Sequence, residues 1–179
     1  MYTYAYPHPA VAADICVFRH AEDAISLLLI QRKNPPFGGS WALPGGFLEP
    51  DEDLDQCAAR ELLEETGLAG LCLRQFAVFS APRRDPRERI ISVAYLAVAP
   101  SAHHIATAGS DASDARWFPL RALPRLAFDH AAIITKAAAA LGEALCDTAT
   151  AQALIPPGTS VTETHAMAQA LGIPISMAP

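Results

Sequence analysis

The segment from Gly46 to Leu68 constrains this chain more than any other part of its 179 residues. Its acidic stretch 51–53 is a favourable helix start, because carboxylates accept hydrogen bonds from the first backbone amides and face the positive end of the helix dipole. Gly67 is a typical helix end, since glycine readily adopts the left-handed conformation found there. The sequence therefore predicts a helix from about Asp53 to Thr66, after a tight turn at Gly45–Gly46.

Three carboxylates share one face of this predicted helix. At about 100° per residue, Glu61, Glu64 and Glu65 fall within an arc of roughly 100°. An acidic helix face is usually just solvated, but like charges this close repel, and a tight cluster indicates a compensating cation. Oxygen ligands suit a hard ion, Mg²⁺ or its substitute Mn²⁺, which polarises phosphoryl oxygens and activates water. Arg60 stands among these glutamates and could orient one of them through a bidentate pair.

The rest of the chain alternates between strand-like and helix-like segments. Apolar runs bounded by loop-forming residues predict strands at 12–19, 25–32, 71–79, 90–99 and 116–120, with a hairpin link at 20–23. A long alanine-rich helix capped by Asp129 is predicted to reach Cys146, and a capping box at Ser160–Glu163 predicts a short helix that ends at Gly172. This order indicates an α/β fold with a mixed sheet between helices. We expect one domain over residues 1–147 and a C-terminal tail, 148–179, that carries the short helix.

Composition narrows the class of protein. Hydrophobic residues make up 51% of the chain and charged residues 18%, which indicates a folded domain rather than a disordered chain. The net charge of −6 argues against a nucleic-acid-binding surface, because such a surface needs a basic face. The four cysteines form no CxxC pair, and we find neither a secretion signal nor an apolar run of about 18 residues. We therefore expect a cytoplasmic protein that does not contact membranes.

The fixed residues between Gly46 and Leu68 follow one particular spacing. Five residues separate Gly46 from Glu52, seven separate Glu52 from Arg60, and the pattern continues through Glu61, Leu62, Glu64, Glu65, Gly67 and Leu68. This pattern resembles the Nudix box with every fixed position filled, and a chance match at one register is on the order of one in a billion. The resemblance implies a Nudix-type α/β/α sandwich with a central mixed sheet. It also implies Mg²⁺-dependent hydrolysis of a nucleoside diphosphate linked to another group.

The resemblance assigns roles to five residues of the box. It implies that Glu61, Glu64 and Glu65 are metal ligands, that Arg60 orients a box glutamate, and that Glu52 is a supporting carboxylate. Glu61, Glu64, Arg60 and Glu52 are accordingly expected to be catalytic.

Nudix enzymes often take one more catalytic carboxylate from a loop beyond the box. Asp114 is placed to supply it here, with Asp111 as the alternative and Glu88 as a less obvious one. An Asp-rich turn before a strand is also ordinary turn chemistry, so both interpretations stay open at this point.

Outside the box, the chain is similar to bacterial ADP-ribose pyrophosphatases and to the Nudix domain of nicotinamide-metabolism regulators. The similar stretches are the aromatic N-terminal arm, which carries Tyr2, Tyr4 and Tyr6, and residues 36–37, 41–47, 84–87, 91–95, 115–120 and 126–130. This similarity implies conversion of ADP-ribose to AMP and ribose 5-phosphate. Because related enzymes are commonly dimers, it also implies a homodimer, for which the aromatic arm is a candidate interface.

Substrate-binding residues are expected around the loop 83–89, which carries four arginines in an otherwise acidic chain. Arg84 and Arg87 are predicted to contact phosphates, as is Arg32 on a neighbouring strand; the alternative for the loop is a solvated hairpin tip. Gly46 is expected to border the bound substrate. Phe37 is predicted to clamp adenine, with Phe18 and Tyr6 as alternatives.

Two other functions compete with ADP-ribose hydrolysis. One is pyrophosphohydrolysis of an ordinary or oxidised nucleoside triphosphate. The other belongs to a different class: a non-catalytic, ADP-ribose-sensing regulator, of whose winged helix residues 148–179 would be a truncated remnant. The intact box and the lack of a basic helix that could enter a DNA groove argue against the regulator. We therefore expect a small-molecule nucleotide as the partner and no nucleic acid.

Overall fold

The first strand, β1 (Ala10–Ala21), lies at the centre of a mixed sheet because its residues from Ala12 to Phe18 are all buried. In the computed structural model it pairs antiparallel with β2 (Ala24–Arg32) and parallel with β6 (Ile90–Val98). Beyond β6 lies the antiparallel strand β5 (Arg74–Phe79). The structure describes residues 5–21, 24–100, 112–146, 150–151, 154–155 and 161–171.

Three further strands complete the described part of the sheet. β3 (Trp41–Ala42) and β7 (Ala112–Pro119) both pair antiparallel with β2. β4 (Gly45–Phe47) pairs antiparallel with β1, with Gly45 opposite Asp14. This pairing brings the chain that precedes the first helix against the middle of the sheet.

Alternate side chains of β1 supply two separate cores. Ile15 and Val17 pack on one face of the sheet with Leu62, which belongs to helix α1 (Leu54–Thr66). Cys16 and Phe18 belong to the core on the other face, which is covered by the helices α2 (His130–Cys146) and α3 (Val161–Ala170). The period of two along a strand produces this division. The expected α/β/α sandwich around a mixed sheet is confirmed.

Helix α1 begins and ends where the sequence predicts. Asp53 accepts a hydrogen bond from the Gln56 amide at 2.9 Å, and Gln56 accepts one from the Asp53 amide at 2.8 Å, which together form a capping box. At the other end, Gly67 adopts the left-handed conformation with φ of 72° and donates to the carbonyl of Leu63. The two caps fix the length of the helix and therefore the positions of its glutamates.

Most of the other predicted elements are confirmed, with shifted ends. Strands β1, β2 and β6 match the predictions at 12–19, 25–32 and 90–99, whereas β5 begins only at Arg74 and β7 already begins at Ala112. Helix α2 matches the predicted alanine-rich helix, although the Asp129 carboxylate accepts two hydrogen bonds from Arg84. Helix α3 matches the predicted short helix, whose expected ends at Ser160 and Gly172 lie outside the described residues.

The predicted tight turn at Gly45–Gly46 is wrong, because both glycines belong to strand β4. Gly45 has a φ of 151°, and a Cβ there would lie 2.1 Å from the carbonyl oxygen of Ala13 on the paired strand. Glycine is therefore required at this position by the close approach of two strands and not by a reversal of the chain.

The C-terminal part of the described chain packs against the same sheet. Met167 of α3 is 1% exposed and belongs to the core that α2 covers, as does Leu154. The division into residues 1–147 and 148–179 stays a prediction. Among the helices that the structure describes, none combines the length and the apolar character needed to cross a membrane.

Replacing Asp53 by alanine is expected to lower the free energy of unfolding by about 1 kcal/mol, because the cap of α1 is lost. Asp51→Ala is the matched control: it removes an exposed carboxylate of the same loop, and we expect a change within about 0.5 kcal/mol. Urea denaturation followed by circular dichroism measures both. Equal effects of the two variants would contradict the capping role.

Candidate active site

Strand β4 holds two glycines directly against the acidic face of α1. The Gly45 amide donates to Glu65 Oε2 at 2.8 Å, and Glu65 is only 8% exposed. A Cβ on Gly46 would lie 2.2 Å from Glu61 Oε1, so the Glu61 carboxylate lies where a larger residue would place its side chain. Two carboxylates of the helix are thus held against the backbone of one dipeptide.

Arg60 connects four groups around this contact. Its Nε and Nη2 donate to the two oxygens of Glu52 at 2.9 and 2.6 Å, a bidentate arrangement. Its Nη1 donates to Glu61 at 2.8 Å and to Glu64 at 3.2 Å, and its Nη2 also reaches the carbonyl of Phe47 at 3.1 Å. The hydrogen bonds from Arg60 lower the pKa of Glu52 to about 2. Arg60 therefore orients the glutamates and offsets part of their mutual repulsion.

The donors on this face fit a hard divalent ion in their chemistry. Glu61, Glu64 and Glu65 offer only carboxylate oxygens. Burial raises the pKa of Glu61 although Arg60 opposes the shift, which indicates that this carboxylate lacks sufficient positive charge nearby. Within the described ranges, no three His, Cys, Asp or Glu side chains lie in an arrangement that could already hold a metal ion. Of the three glutamates, Glu64 has the most room to change its side-chain conformation, because its side chain is 52% exposed.

A cavity that opens to solvent lies beside Gly45 and Gly46. Its walls come from β1, β2, the segment 43–47, the loop between β5 and β6, and the start of α2. The lining residues are Ala12, Asp14, Ile30, Arg32, Leu43, Gly45, Gly46, Phe47, Arg84, Asp85, Arg87, Ile90, Phe128 and His130. The same diglycine thus borders both the cavity and the acidic face of α1.

Buried polar groups form the floor of this cavity. Asp14 Oδ2 accepts hydrogen bonds from Ser92 Oγ and, at 3.3 Å, from Arg84 Nη2. Arg84, whose side chain is 5% exposed, also donates to both oxygens of Asp129 at 3.0 and 2.7 Å. His130 lies beside them and accepts a hydrogen bond from the Leu43 amide. The floor therefore connects β1, β6, the loop 83–89 and the start of α2.

The mouth of the cavity combines arginines with aromatic rings. Arg32 lies 4.9 Å from the ring centroid of Phe128, and Arg87 lies 5.1 Å from that of Phe47 and 5.6 Å from that of Phe128. Arg87 Nε and Nη2 donate hydrogen bonds to Asp85 Oδ1 and Oδ2 at 2.7 to 3.3 Å, which holds the Arg87 side chain in place. Guanidinium groups and aromatic rings are thus packed against each other at the mouth.

The structure brings most of the predicted site residues together. Arg32, Arg84, Arg87 and Gly46 line the cavity, while Glu52, Arg60, Glu61, Glu64 and Glu65 form the face behind the diglycine. Phe37 is 40% exposed and packs edge-on against Phe128, with ring centroids 4.8 Å apart. Of the two alternatives for the adenine clamp, Phe18 is buried in the core and Tyr6 is 80% exposed.

Asp114 is the predicted residue that lies apart from this group. It belongs to β7 opposite Gln31, forms an ion pair with Arg116 at 2.5 Å, and is not among the described residues that line the cavity. Its catalytic role stays a prediction and would require this ion pair to open. Asp111 lies outside the described residues.

Sequence reasoning did not single out Asp14, Asp85, Phe128 or His130 as site residues. Asp14 carried a signal, because a single carboxylate within the apolar strand Ala12–Phe18 must find polar partners when buried. Its partners come from residues 70 to 116 positions away, which no local pattern reveals. Phe128 is brought to the mouth by the loop before α2 in a backbone conformation with φ of 50°.

The fold and the acidic helix together define a Nudix protein, and a comparison with known families agrees. The sequence profile of the NUDIX domain matches residues 8–137. The chain belongs to the Nudix family, and the expectation of a Nudix hydrolase is confirmed.

Three relatives are informative. The ADP-ribose pyrophosphatase of Methanocaldococcus jannaschii is 44% identical over 129 residues, which cover 72% of this chain and 73% of that protein. The ADPR responsive transcriptional repressor NtrR of Acinetobacter baylyi is 37% identical over 163 residues, or 88% of this chain, but the chain spans only 64% of its length. The NUDIX domain of Shewanella oneidensis NrtR, solved with ADP ribose, superposes with a TM-score of 0.71 at 32% identity over 76% of this chain and 91% of that domain.

Replacing the buried Arg84 by methionine is expected to lower the free energy of unfolding by about 3 kcal/mol, because Asp14 and Asp129 lose the cation that compensates them. Arg83→Met is the matched control at the neighbouring, exposed arginine, and we expect a change within about 0.5 kcal/mol. Urea denaturation of the two variants makes the comparison. If Arg84→Met were as stable as Arg83→Met, the ion pairs would be dispensable for the fold.

Proposed function

We propose that this Nudix hydrolase cleaves the diphosphate of ADP-ribose, giving AMP and ribose 5-phosphate, with Mg²⁺ held by Glu61, Glu64 and Glu65. One observation carries the proposal: the cavity with its arginine and aromatic mouth is separated from the acidic face of α1 only by Gly45–Gly46. A diphosphate that lies across the diglycine would reach the glutamates, while a nucleoside or sugar attached to it occupies the cavity.

The charges in the cavity support binding of an anion. Arg84 is paired with Asp14 and Asp129, and Arg87 is paired with Asp85. Arg32, in contrast, has no carboxylate within ion-pairing distance in the described part of the chain; its Nε donates to the carbonyl of Pro36 at 3.0 Å.

Burial and the neighbouring Arg87 lower the pKa of Arg32. A phosphate group would offset both effects, because it adds negative charge directly beside a partly desolvated guanidinium. We therefore assign phosphate binding to Arg32 and Arg87, and packing against adenine or ribose to Phe128 and Phe37. Arg84, already held by two carboxylates, would shape the floor beneath the substrate.

The relatives favour ADP-ribose over a triphosphate. The relative from Methanocaldococcus jannaschii is named for ADP-ribose pyrophosphatase activity, and the NUDIX domain of NrtR was crystallised with ADP ribose. Both similarities extend well beyond the box, since they cover 72% and 76% of this chain. A pyrophosphohydrolase for oxidised or ordinary triphosphates has no comparable support from the cavity.

The protein's own residues would prepare the reaction in three ways. Gly46 leaves room for the Glu61 carboxylate beside the backbone, Arg60 holds Glu61 and Glu64 in orientation, and Glu52 fixes Arg60 from the other side. When bound, a divalent ion supplies neutralisation of the diphosphate and polarisation of a phosphoryl oxygen. Glu64, the most exposed of the three ligands, is then able to accept a proton from the attacking water through its carboxylate.

The proposal also covers the binding partners of the protein and its location in the cytoplasm. We expect a small nucleotide and not a nucleic acid as the ligand, because the chain carries a net charge of −6. Tyr6 is 80% exposed, which is compatible with a homodimer interface in the N-terminal arm. Cys16 and Cys57 are buried free thiols, as is usual for cytoplasmic proteins.

One second candidate has an observation in its favour, namely the 37% identity with the repressor NtrR. An ADP-ribose-responsive regulator would bind the same ligand in the same cavity but would not need to cleave it. Turnover of ADP-ribose separates the two, and a nanomolar complex with an operator at physiological salt would overturn our choice of a purely small-molecule partner.

With Mg²⁺, ADP-ribose is expected to give the highest kcat/KM in a panel that also contains NADH, GDP-mannose, diadenosine polyphosphates and 8-oxo-dGTP. The physical reason is that the arginines and aromatic rings of the cavity would bind the group attached to the diphosphate. Chromatographic detection of AMP and ribose 5-phosphate measures the reaction. If a triphosphate ranked far above ADP-ribose, the substrate assignment would be wrong.

Glu64→Gln is expected to lower kcat by about 100-fold or more, because an amide cannot supply the negative charge that holds the ion. Glu143→Gln is the matched control on the exposed face of α2 and should leave kcat unchanged. Titration with Mn²⁺ should show weaker binding only for Glu64→Gln, with unchanged circular dichroism in both variants. Normal turnover by Glu64→Gln would remove Glu64 from the metal site.

A further inference from the structure

We propose that Asp14 and His130 form a subsite that binds one ribose hydroxyl of the substrate; this inference rests on the proposed function. Both side chains are buried, at 8% and 4% exposure, and both line the cavity. His130 Nε2 faces Asp14 Oδ1 at 3.6 Å, which is longer than a hydrogen bond. Two polar atoms of largely buried side chains thus lie side by side at the cavity wall, with no hydrogen bond between them.

The hydrogen bond to Leu43 determines which ring nitrogen of His130 carries the proton. The Leu43 amide donates to Nδ1 at 2.9 Å, so Nδ1 must offer its lone pair. A neutral imidazole then carries its proton on Nε2, the atom that faces Asp14. Burial lowers the pKa of His130, which keeps the ring neutral near pH 7. His130 thus presents one N–H donor to the cavity.

Asp14 offers the complementary acceptor. Its Oδ2 is already occupied by Ser92 Oγ and Arg84 Nη2. For Oδ1, the described residues provide no donor within hydrogen-bond distance. Because Asp14 and His130 both line the cavity, a ligand group that lies between these two atoms can bond to both.

A hydroxyl group meets both requirements at once. It can accept a hydrogen bond from His130 Nε2 and donate its own proton to Asp14 Oδ1. A phosphate oxygen would be repelled by Asp14, and an ammonium group could not accept from the imidazole. In ADP-ribose, the hydroxyl groups outside the diphosphate belong to the two riboses. The subsite would therefore recognise ribose, while Arg32 and Arg87 at the mouth bind phosphate.

Two substitutions separate this role from a purely structural one. His130→Asn keeps an acceptor near the position of Nδ1 for the Leu43 amide but loses the donor at Nε2. His130→Gln places an amide near Nε2 and loses the bond to Leu43. If His130 only positions the Leu43 segment, His130→Asn should be the milder change. If it binds a hydroxyl, His130→Asn should be the more harmful one for substrate binding.

The test uses three substrates: ADP-ribose, the β-methyl ester of ADP, which lacks the distal ribose, and an ADP-ribose analogue without the two hydroxyls of its adenosine. For His130→Asn we expect KM for ADP-ribose to rise about tenfold, the size of one lost hydrogen bond, with kcat changed less than twofold. The substrate that lacks the recognised hydroxyl should show the same KM with both proteins, which identifies the ribose. Equilibrium binding of ADP-ribose in EDTA should show the same tenfold loss without turnover.

Two outcomes would overturn the subsite. One is an equal rise of KM for all three substrates, and the other is a KM unchanged by His130→Asn. Should His130→Asn fail to fold, the ring N–H resonance of His130 in the wild-type protein replaces it: a shift on addition of ADP-ribose in EDTA supports the contact, and no shift contradicts it. Failure of the proposed function looks different, because the wild-type protein would then neither bind nor cleave ADP-ribose.

Discussion

The contact between the diglycine of β4 and the carboxylates of α1 is the constraint on which the rest of the site depends. Glu65 accepts a hydrogen bond from the Gly45 amide, and Glu61 lies where a Cβ of residue 46 would be. Because Gly45 also pairs with Asp14 on β1, the acidic helix and the cavity floor are held by the same short strand. A shift of β4 would therefore displace both the carboxylates of α1 and the floor of the cavity.

Charge is distributed around this strand so that each side has a separate function. Behind the diglycine, Arg60 balances several carboxylates and leaves an excess of negative charge that suits a metal ion. In the cavity, Arg84 and Arg87 form ion pairs with carboxylates. Arg32, the third arginine of the cavity lining, has no carboxylate within ion-pairing distance among the described residues. Under the proposed function, Arg32 would attract the anionic substrate to the cavity, and a metal ion on the acidic face would neutralise its diphosphate.

The acidic helix could be predicted in detail because its signals are local. The capping box at Asp53, the left-handed Gly67 and the spacing of the glutamates all act within a few turns of one helix. Residues whose role depends on contacts between distant parts of the chain could not be predicted in this way. The turn predicted at Gly45–Gly46 proved to be a strand, since the requirement for glycine comes from the distant Ala13 and Glu61. Nothing local in the sequence joins Asp14 to Arg84, Ser92 and His130.

The sequence by itself determined the Nudix box, the class of reaction and the order of the main strands and helices. These depend on spacing along one helix and on hydrophobic periodicity, which are properties of neighbouring residues. Only the tertiary structure decided which arginine of the cavity has no carboxylate within ion-pairing distance among the described residues, where Phe128 lies and how Asp14 faces His130. Those relations join residues far apart in the chain, and a buried polar group takes its partners from whatever the fold brings within hydrogen-bond distance.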